Sequence, residues 1–178
     1  MADRIPITAD YVRSRLDYDR ETGVLTWKAR PVRSASDKAW NTKYAGTTIT
    51  HENSTDHIQL GLDDRNYLGH RIAWLIVHGE CPPLIDHCNG IRNDNRLANL
   101  RVATRSQNAS NSKKRTDNTS GFRGVHRKRG KKWFAQIGHG YRNIHLGTFD
   151  TAAEAACAYD KAAAELYGDF AGLNRMGG

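Results

Sequence analysis

The residues best placed for chemistry are Asp86 and His87, adjacent in the run LIDHCNGIRNDNRLANLRVATRSQNASN, with Asn99 and Asn108 following at intervals. Neighbours on an extended strand project to opposite sides, so one can hold a cation while the other addresses a substrate. Asp86 and Asn108 supply the hard oxygen donors that Mg²⁺ or Mn²⁺ takes, with waters completing the shell. An imidazole that titrates near neutrality, His87, can remove a proton from an attacking water. Hydrolysis of a phosphodiester needs this set: an activated water, a divalent ion against the phosphate, and relief of charge on the leaving oxygen. Taken singly, each residue type is far more often a hydrogen-bonded structural group, so the weight rests on the ordered spacing.

To hold that set, residues 84–111 must form a strand, a long polar loop, a second strand and a helix. Thr104 followed by Gln107 is a capping box that starts the helix at Arg105 and puts Asn108 in its first or second turn. Upstream, Thr8 or Asp10 caps a short helix in TADYVRSRL, and LDYDRETGVLTWKAR reads as a hairpin turning at Glu21, Thr22 and Gly23. Residues 30–56 read as polar and irregular. HIQLGL with a turn at DDRN gives a second hairpin, which leads into a helix through Ile72, Trp74, Leu75 and Ile76 that Cys81, Pro82 and Pro83 stop.

Beyond a linker-like stretch at 111–120 the composition changes. FRGVHRKRG, KKWFAQIGH and YRNIHLGTF read as three short strands with Gly-containing turns. A helix follows, opened by the capping box Thr151/Glu154, with Ala152, Ala155, Ala156, Tyr159, Ala162, Ala163 and Leu166 on one face. Strand alternation puts Trp133, Ala135 and Ile137 on the core side and Phe134 and Gln136 on the other. From Lys113 to Phe149 there are ten basic residues and one acid, Asp117, which gives this stretch +9 while the rest of the chain sums to −1. Such segregation, interleaved with Phe122, Trp133, Phe134 and Tyr141, fits a surface that meets phosphates better than a merely solubilising one.

The chain of 178 residues, with a mean hydropathy of −0.72, fits two modest cores better than one large one. Three cysteines, Cys81, Cys88 and Cys157, form no CxxC pair, which disfavours a disulfide framework and a Cys-rich zinc site; with His87 they lack the paired spacing zinc requires. No apolar run approaches a membrane span and the first residues lack the apolar core of a signal peptide, so the expectation is an intracellular protein without a membrane partner.

Asp86-His87-Cys88-Asn89-Gly90, Asn95-Arg96, Asn99-Leu100 and Ser106-Gln107-Asn108, in this order, resemble the HNH endonuclease family in its phage and intron-associated branch. The resemblance implies an α+β protein whose nuclease domain, residues 1–110, is built on a ββα-metal (His-Me finger) core at about 84–111 behind a hairpin-rich N-terminal part. It also implies His87 as general base, Asp86 and Asn108 as ligands of Mg²⁺ or Mn²⁺, and Asn99 as a brace for the loop. Cys88 stands where an aliphatic residue is commoner. His70, in GHRIAWL, fits the family's upstream segment in a structural or phosphate-contacting place.

Residues 121–174 resemble the AP2 DNA-binding domain through Gly121-Phe122-Arg123-Gly124-Val125, the run from Trp133 to Ile137, Leu146-Gly147-Thr148-Phe149 and the Ala-rich helix ending near Asn174. That implies a three-stranded antiparallel sheet packed on one helix, the sheet entering the major groove of double-stranded DNA. Arg123, Gly124 and Gln136 match positions that face DNA. Arg127, Lys128, Arg129, Lys131, Lys132, Arg142 and His145 lie on the same strands and loops, where contacts to guanine or to phosphate both fit.

The combined reading is a phage-type, metal-dependent endonuclease, monomeric for want of heptads, whose AP2-like half selects the site that the HNH half cuts. The alternatives are a non-catalytic, sequence-specific DNA-binding regulator on the same scaffold, and a nuclease directed to RNA or to structured substrates.

Overall fold

The computed structural model describes residues 7–111, 118–140 and 142–174, and the chain divides into two compact units, residues 1–102 and 103–178. The expected boundary near 110 therefore falls inside the second unit. Residues 112–117 of the expected linker, and Tyr141, lie outside the described residues.

The first unit opens with α1 (Ala9–Arg15), whose N-terminus is capped by Thr8 Oγ1 accepting the Tyr11 N–H at 3.2 Å. Strands β1 (Leu16–Tyr18) and β2 (Leu25–Trp27) form the first hairpin, with Asp19 Oδ1 accepting the N–H groups of Glu21 and Thr22. The stretch read as irregular contains a helix, α2 (Ala35–Tyr44), which corrects that expectation. It buries no residue, so it carries no apolar stripe; Ser34 caps it through the Asp37 N–H, and the Arg30 guanidinium lies 3.7 Å from the Trp40 ring centroid.

Strands β3 (Gln59–Leu62) and β4 (Arg65–Leu68) pair around a two-residue turn in which Asp63 and Asp64 both have positive φ, 49° and 59°. This is the handedness that matches strand twist in a tight hairpin. Helix α3 (Gly69–His78) follows at once and ends earlier than the prolines suggest. Gly79, at φ 81°, takes the left-handed conformation and returns its N–H to Leu75 O, so glycine and not Pro82 stops the helix. Val12, Leu16, Leu25, Leu60, Leu62, Ile72 and Leu75 make the core of this unit.

Strands β5 (Ile85–His87) and β6 (Leu100–Val102) pair antiparallel, with Asp86 opposite Arg101 and His87 opposite Leu100. A 3₁₀ turn, Leu97–Asn99, leads into β6, and α4 (Arg105–Asn111) comes after it, so 85–111 has the order strand, loop, strand, helix. Both halves of the Thr104/Gln107 box form, at 2.8 and 3.2 Å.

In the second unit β7 (Val125–Arg127), β8 (Trp133–His139) and β9 (Arg142–Phe149) make an antiparallel sheet in the order β7-β8-β9. Helix α5 (Ala152–Tyr167) covers one face, and its Thr151/Glu154 capping box forms. Val125, Ala135 and Ile137 meet Ala155, Ala156, Tyr159, Ala163 and Tyr167 in the core. Leu166, expected on the buried face, is exposed, and Tyr167 takes the place. The small alanines let helix and sheet approach closely. At Gly124, φ 67°, a Cβ would come within 2.1 Å of Tyr159 Cδ2, so only glycine fits there.

Candidate functional site

The loop between β5 and β6 is tied together by its own polar side chains. Asn99 accepts the Asn89 N–H through Oδ1 at 3.0 Å and donates from Nδ2 to Asp94 O at 2.8 Å, while its carbonyl accepts the Cys88 N–H. Asp94 accepts from Asn89 Nδ2 at 2.7 Å and from Arg96 Nε and Nη2 at 2.8 and 2.6 Å. The Arg96 hydrogen bonds, ahead of the others, hold the Asp94 carboxyl down at about 2. Asn95, 2% exposed, is pinned by Tyr18, whose hydroxyl donates to its carbonyl, and its Oδ1 lies 3.3 Å from His87 Nε2.

Asp86 and His87 are both buried at the end of β5. Asp86 Oδ2 accepts from Arg101 Nε at 3.0 Å and Nη2 at 2.8 Å, a charge-assisted pair across the β5–β6 ladder. Asn108, the other oxygen donor read from the sequence, is half-buried on α4 in the second compact unit. Asp86 Oδ2 is thus already engaged by a guanidinium. Around His87 the first unit gathers nitrogen donors, His57 and His70, with ring centroids 5.9 and 4.9 Å from that of His87. Burial pushes all three imidazoles below the usual histidine range, His70 to about 2. The sequence singles out His70 but not His57, because nothing in the neighbourhood of His57 marks it until the β3–β4 hairpin folds back.

On the open face of the second unit's sheet, residues opposite one another across the strands share a side. His126 stands opposite Phe134 and stacks on it at 5.1 Å; Gln136 stands opposite His145, and its Nε2 lies 3.1 Å from His126 Nε2. This gives a ridge of flat rings and an amide, with Arg142 exposed at the start of β9. The β7–β8 turn carries Lys128, Arg129, Lys131 and Lys132 directly after Arg127, all exposed. Lys132 pairs with Asp150, and the Arg127 guanidinium sits 5.7 Å from the Trp133 ring centroid. Two of the matched positions point inward. Arg123 donates from Nη1 to Ser110 O at 2.6 Å, and Gly124 gives passage to Tyr159.

Two family models match. One described as HNH endonuclease covers residues 67–110, and one described as AP2 domain covers residues 120–169. Among known proteins, dehydration-responsive element-binding protein 2D of Arabidopsis thaliana is 49% identical over 55 residues, 30% of this chain and 27% of that protein. Ethylene-responsive transcription factor ERF069 of the same plant is 47% identical over 64 residues, 33% of this chain and 40% of its own length. A rice relative, dehydration-responsive element-binding protein 2E, is 47% identical over 55 residues, 30% of this chain and 17% of that protein. The chain thus spans well under half of these relatives. They overturn the expectation of an enzyme, since they are transcription factors and element-binding proteins, and as plant proteins they give no support to a phage origin. Among the described residues no helix is long and apolar enough to cross a membrane. The sheet-on-helix unit, the family match and the relatives agree that this chain carries an AP2 domain over residues 120–169.

Proposed function

We propose that the protein is a non-catalytic, sequence-specific regulator that binds double-stranded DNA through its AP2 domain. The observation that carries this reading is the open face of β7-β8-β9, where His126, Phe134, Gln136 and His145 form a ridge beside the exposed cations of the β7–β8 turn. A two- or three-stranded ribbon of this size fits the major groove, where an amide such as Gln136 can pair with adenine and Arg142 with guanine. The turn cations supply sequence-independent attraction to phosphates and set the register. Arg123 and Gly124 act from inside, holding the sheet in shape. The HNH-like segment serves as a scaffold of the ββα-metal type without hydrolytic work, a reading supported by the strand, loop, strand, helix order of 85–111 and by the Arg101 guanidinium on Asp86. The protein binds as a monomer.

The test is selection of duplexes from a random pool by the full-length chain, followed by fluorescence anisotropy at fixed salt. A recovered motif is expected to bind at least about 10³-fold more tightly than unrelated duplex. Gln136→Ala should relax the preference at one base position, by about 1–3 kcal/mol. Equal affinity for all sequences would sink the specific reading. A supercoiled plasmid incubated with protein and Mg²⁺ is expected to stay supercoiled, and conversion to nicked circles would overturn the non-catalytic part.

A further inference from the structure

The first compact unit brings His57, His70 and His87 to one point from three elements: the segment before β3, the first turn of α3, and the end of β5. One ring nitrogen of each lies within 4.8 Å of those of the other two. We propose that these three histidines bind a divalent transition ion of the Zn²⁺ class through ring nitrogens, with water in the fourth position.

The geometry is close to what such an ion requires. A tetrahedral ion with Zn–N bonds of about 2.0–2.1 Å separates its nitrogens by about 3.4 Å, so from separations of up to 4.8 Å the nitrogens need to draw together by at most about 1.4 Å. His57 is half-exposed on the rim and can supply that movement, whereas His70 and His87 are buried. The donor set also selects the ion. It holds imidazoles and no carboxylate, which suits Zn²⁺, Co²⁺ or Ni²⁺ and not Mg²⁺ or Ca²⁺.

Two further observations point to a ligand. His70 is 5% exposed and its Nδ1 is buried with no hydrogen-bond partner among the described residues, an unusual state for a buried polar atom. Ring packing accounts for the T-shaped contact of His70 with His87 at 4.9 Å, yet it leaves that nitrogen unsatisfied. The outer partners follow the pattern of metal-bound histidines, in which a second ring nitrogen is fixed by a neighbouring oxygen. Thr55 Oγ1 lies 2.9 Å from His57 Nδ1 and itself donates to Asn53 Oδ1, and Asn95 Oδ1 lies near His87 Nε2. The cysteines take no part: Cys88 is exposed and none belongs to the cluster.

The experiment uses the full chain without a histidine tag, stripped with EDTA, freed of chelator and titrated with Co²⁺ alone while its visible absorption is recorded. Saturation at one Co²⁺ per chain is expected, with the intense bands of a tetrahedral site, displaced by Zn²⁺, and with a melting temperature that rises as the ion is added. His57→Ala, which leaves the core intact, should weaken binding at least tenfold and abolish the intense bands; circular dichroism confirms that it is folded. His70→Asn should do the same if it folds. His51→Ala, exposed and outside the cluster, should bind like the parent. Absence of saturable Co²⁺ binding, or a His57→Ala protein that binds as tightly as the parent, overturns the proposal.

Discussion

Asn174 closes on Arg123 as one strand closes on another: its Oδ1 accepts the Arg123 N–H at 2.6 Å and its Nδ2 donates to the Arg123 carbonyl at 3.3 Å. Asp160 on α5 steadies the amide, accepting from both its Nδ2 and the Asn174 backbone N–H. The residue is 4% exposed, so the end of the domain is latched to the start of its sheet by a buried side chain. Asn174→Ala should strand the Arg123 backbone groups and cost about 1–3 kcal/mol. A fall in melting temperature of about 4–8 °C for each kcal/mol is expected for a domain of this size, read by calorimetry. An unchanged melting temperature would mean that the latch is idle.

Gly124 tests the closeness of the helix. Alanine there meets Tyr159 at an impossible distance and must also hold a positive φ, so Gly124→Ala should destabilise the second unit by about 2–4 kcal/mol. Urea unfolding followed by tryptophan fluorescence, with Trp133 as reporter, measures it. The double variant Gly124→Ala/Tyr159→Ala should recover the steric part of that loss and not the backbone part.

For DNA binding the cations of the β7–β8 turn matter through number. Replacing Lys128, Arg129 and Lys131 by alanine should reduce the log–log salt dependence of binding by about 0.9 for each phosphate no longer neutralised. Affinity should drop for specific and unrelated duplexes alike, because pairing with phosphates carries no sequence information. A drop confined to the specific duplex would place these residues on the bases.

The Asp94 network gives the first unit a defined acid limit. The Asp94 carboxyl titrates at about 2 when folded, against an ordinary 3.8, so the unfolded chain takes up the proton first. The stabilisation is fully present above about pH 4 and is lost as the pH falls from there through 2. Asp94→Asn should therefore flatten the decline of stability over that interval, as measured by denaturation at stepped pH, and lower stability at neutral pH through loss of the Arg96 pair.

Much of this fold is legible in the sequence because local chemistry and tertiary packing agree. Thr8, Thr104 and Thr151 cap the helices that their positions predict, and the alternation of Trp133, Phe134, Ala135, Gln136 and Ile137 separates core from surface. What escapes reading has a physical cause in each case. Helix α2 buries nothing, so periodicity cannot reveal it, although Ser34 and Asp37 mark its start. Tyr167 displaces Leu166 from the core because its ring spans to the sheet and its hydroxyl reaches Gly138 O, a contact no helical wheel shows. The inward role of Arg123 depends on Ser110, thirteen residues earlier, and His57 joins His70 and His87 only after the hairpin has folded. Arg101, directly opposite Asp86 on β6, pairs with it in space, a contact fifteen residues away in sequence that the motif does not announce.

The turn between β7 and β8 has one more effect, on the protein when it is alone. Five cations within six residues, at 127, 128, 129, 131 and 132, hold each other at close range with Asp150 as a counter-charge at one end. Before any partner arrives, this crowding is a spring under compression, and mobile anions relax it. Raising salt should therefore firm up the free domain while loosening its hold on DNA, so that one added ion species drives the two equilibria in opposite directions.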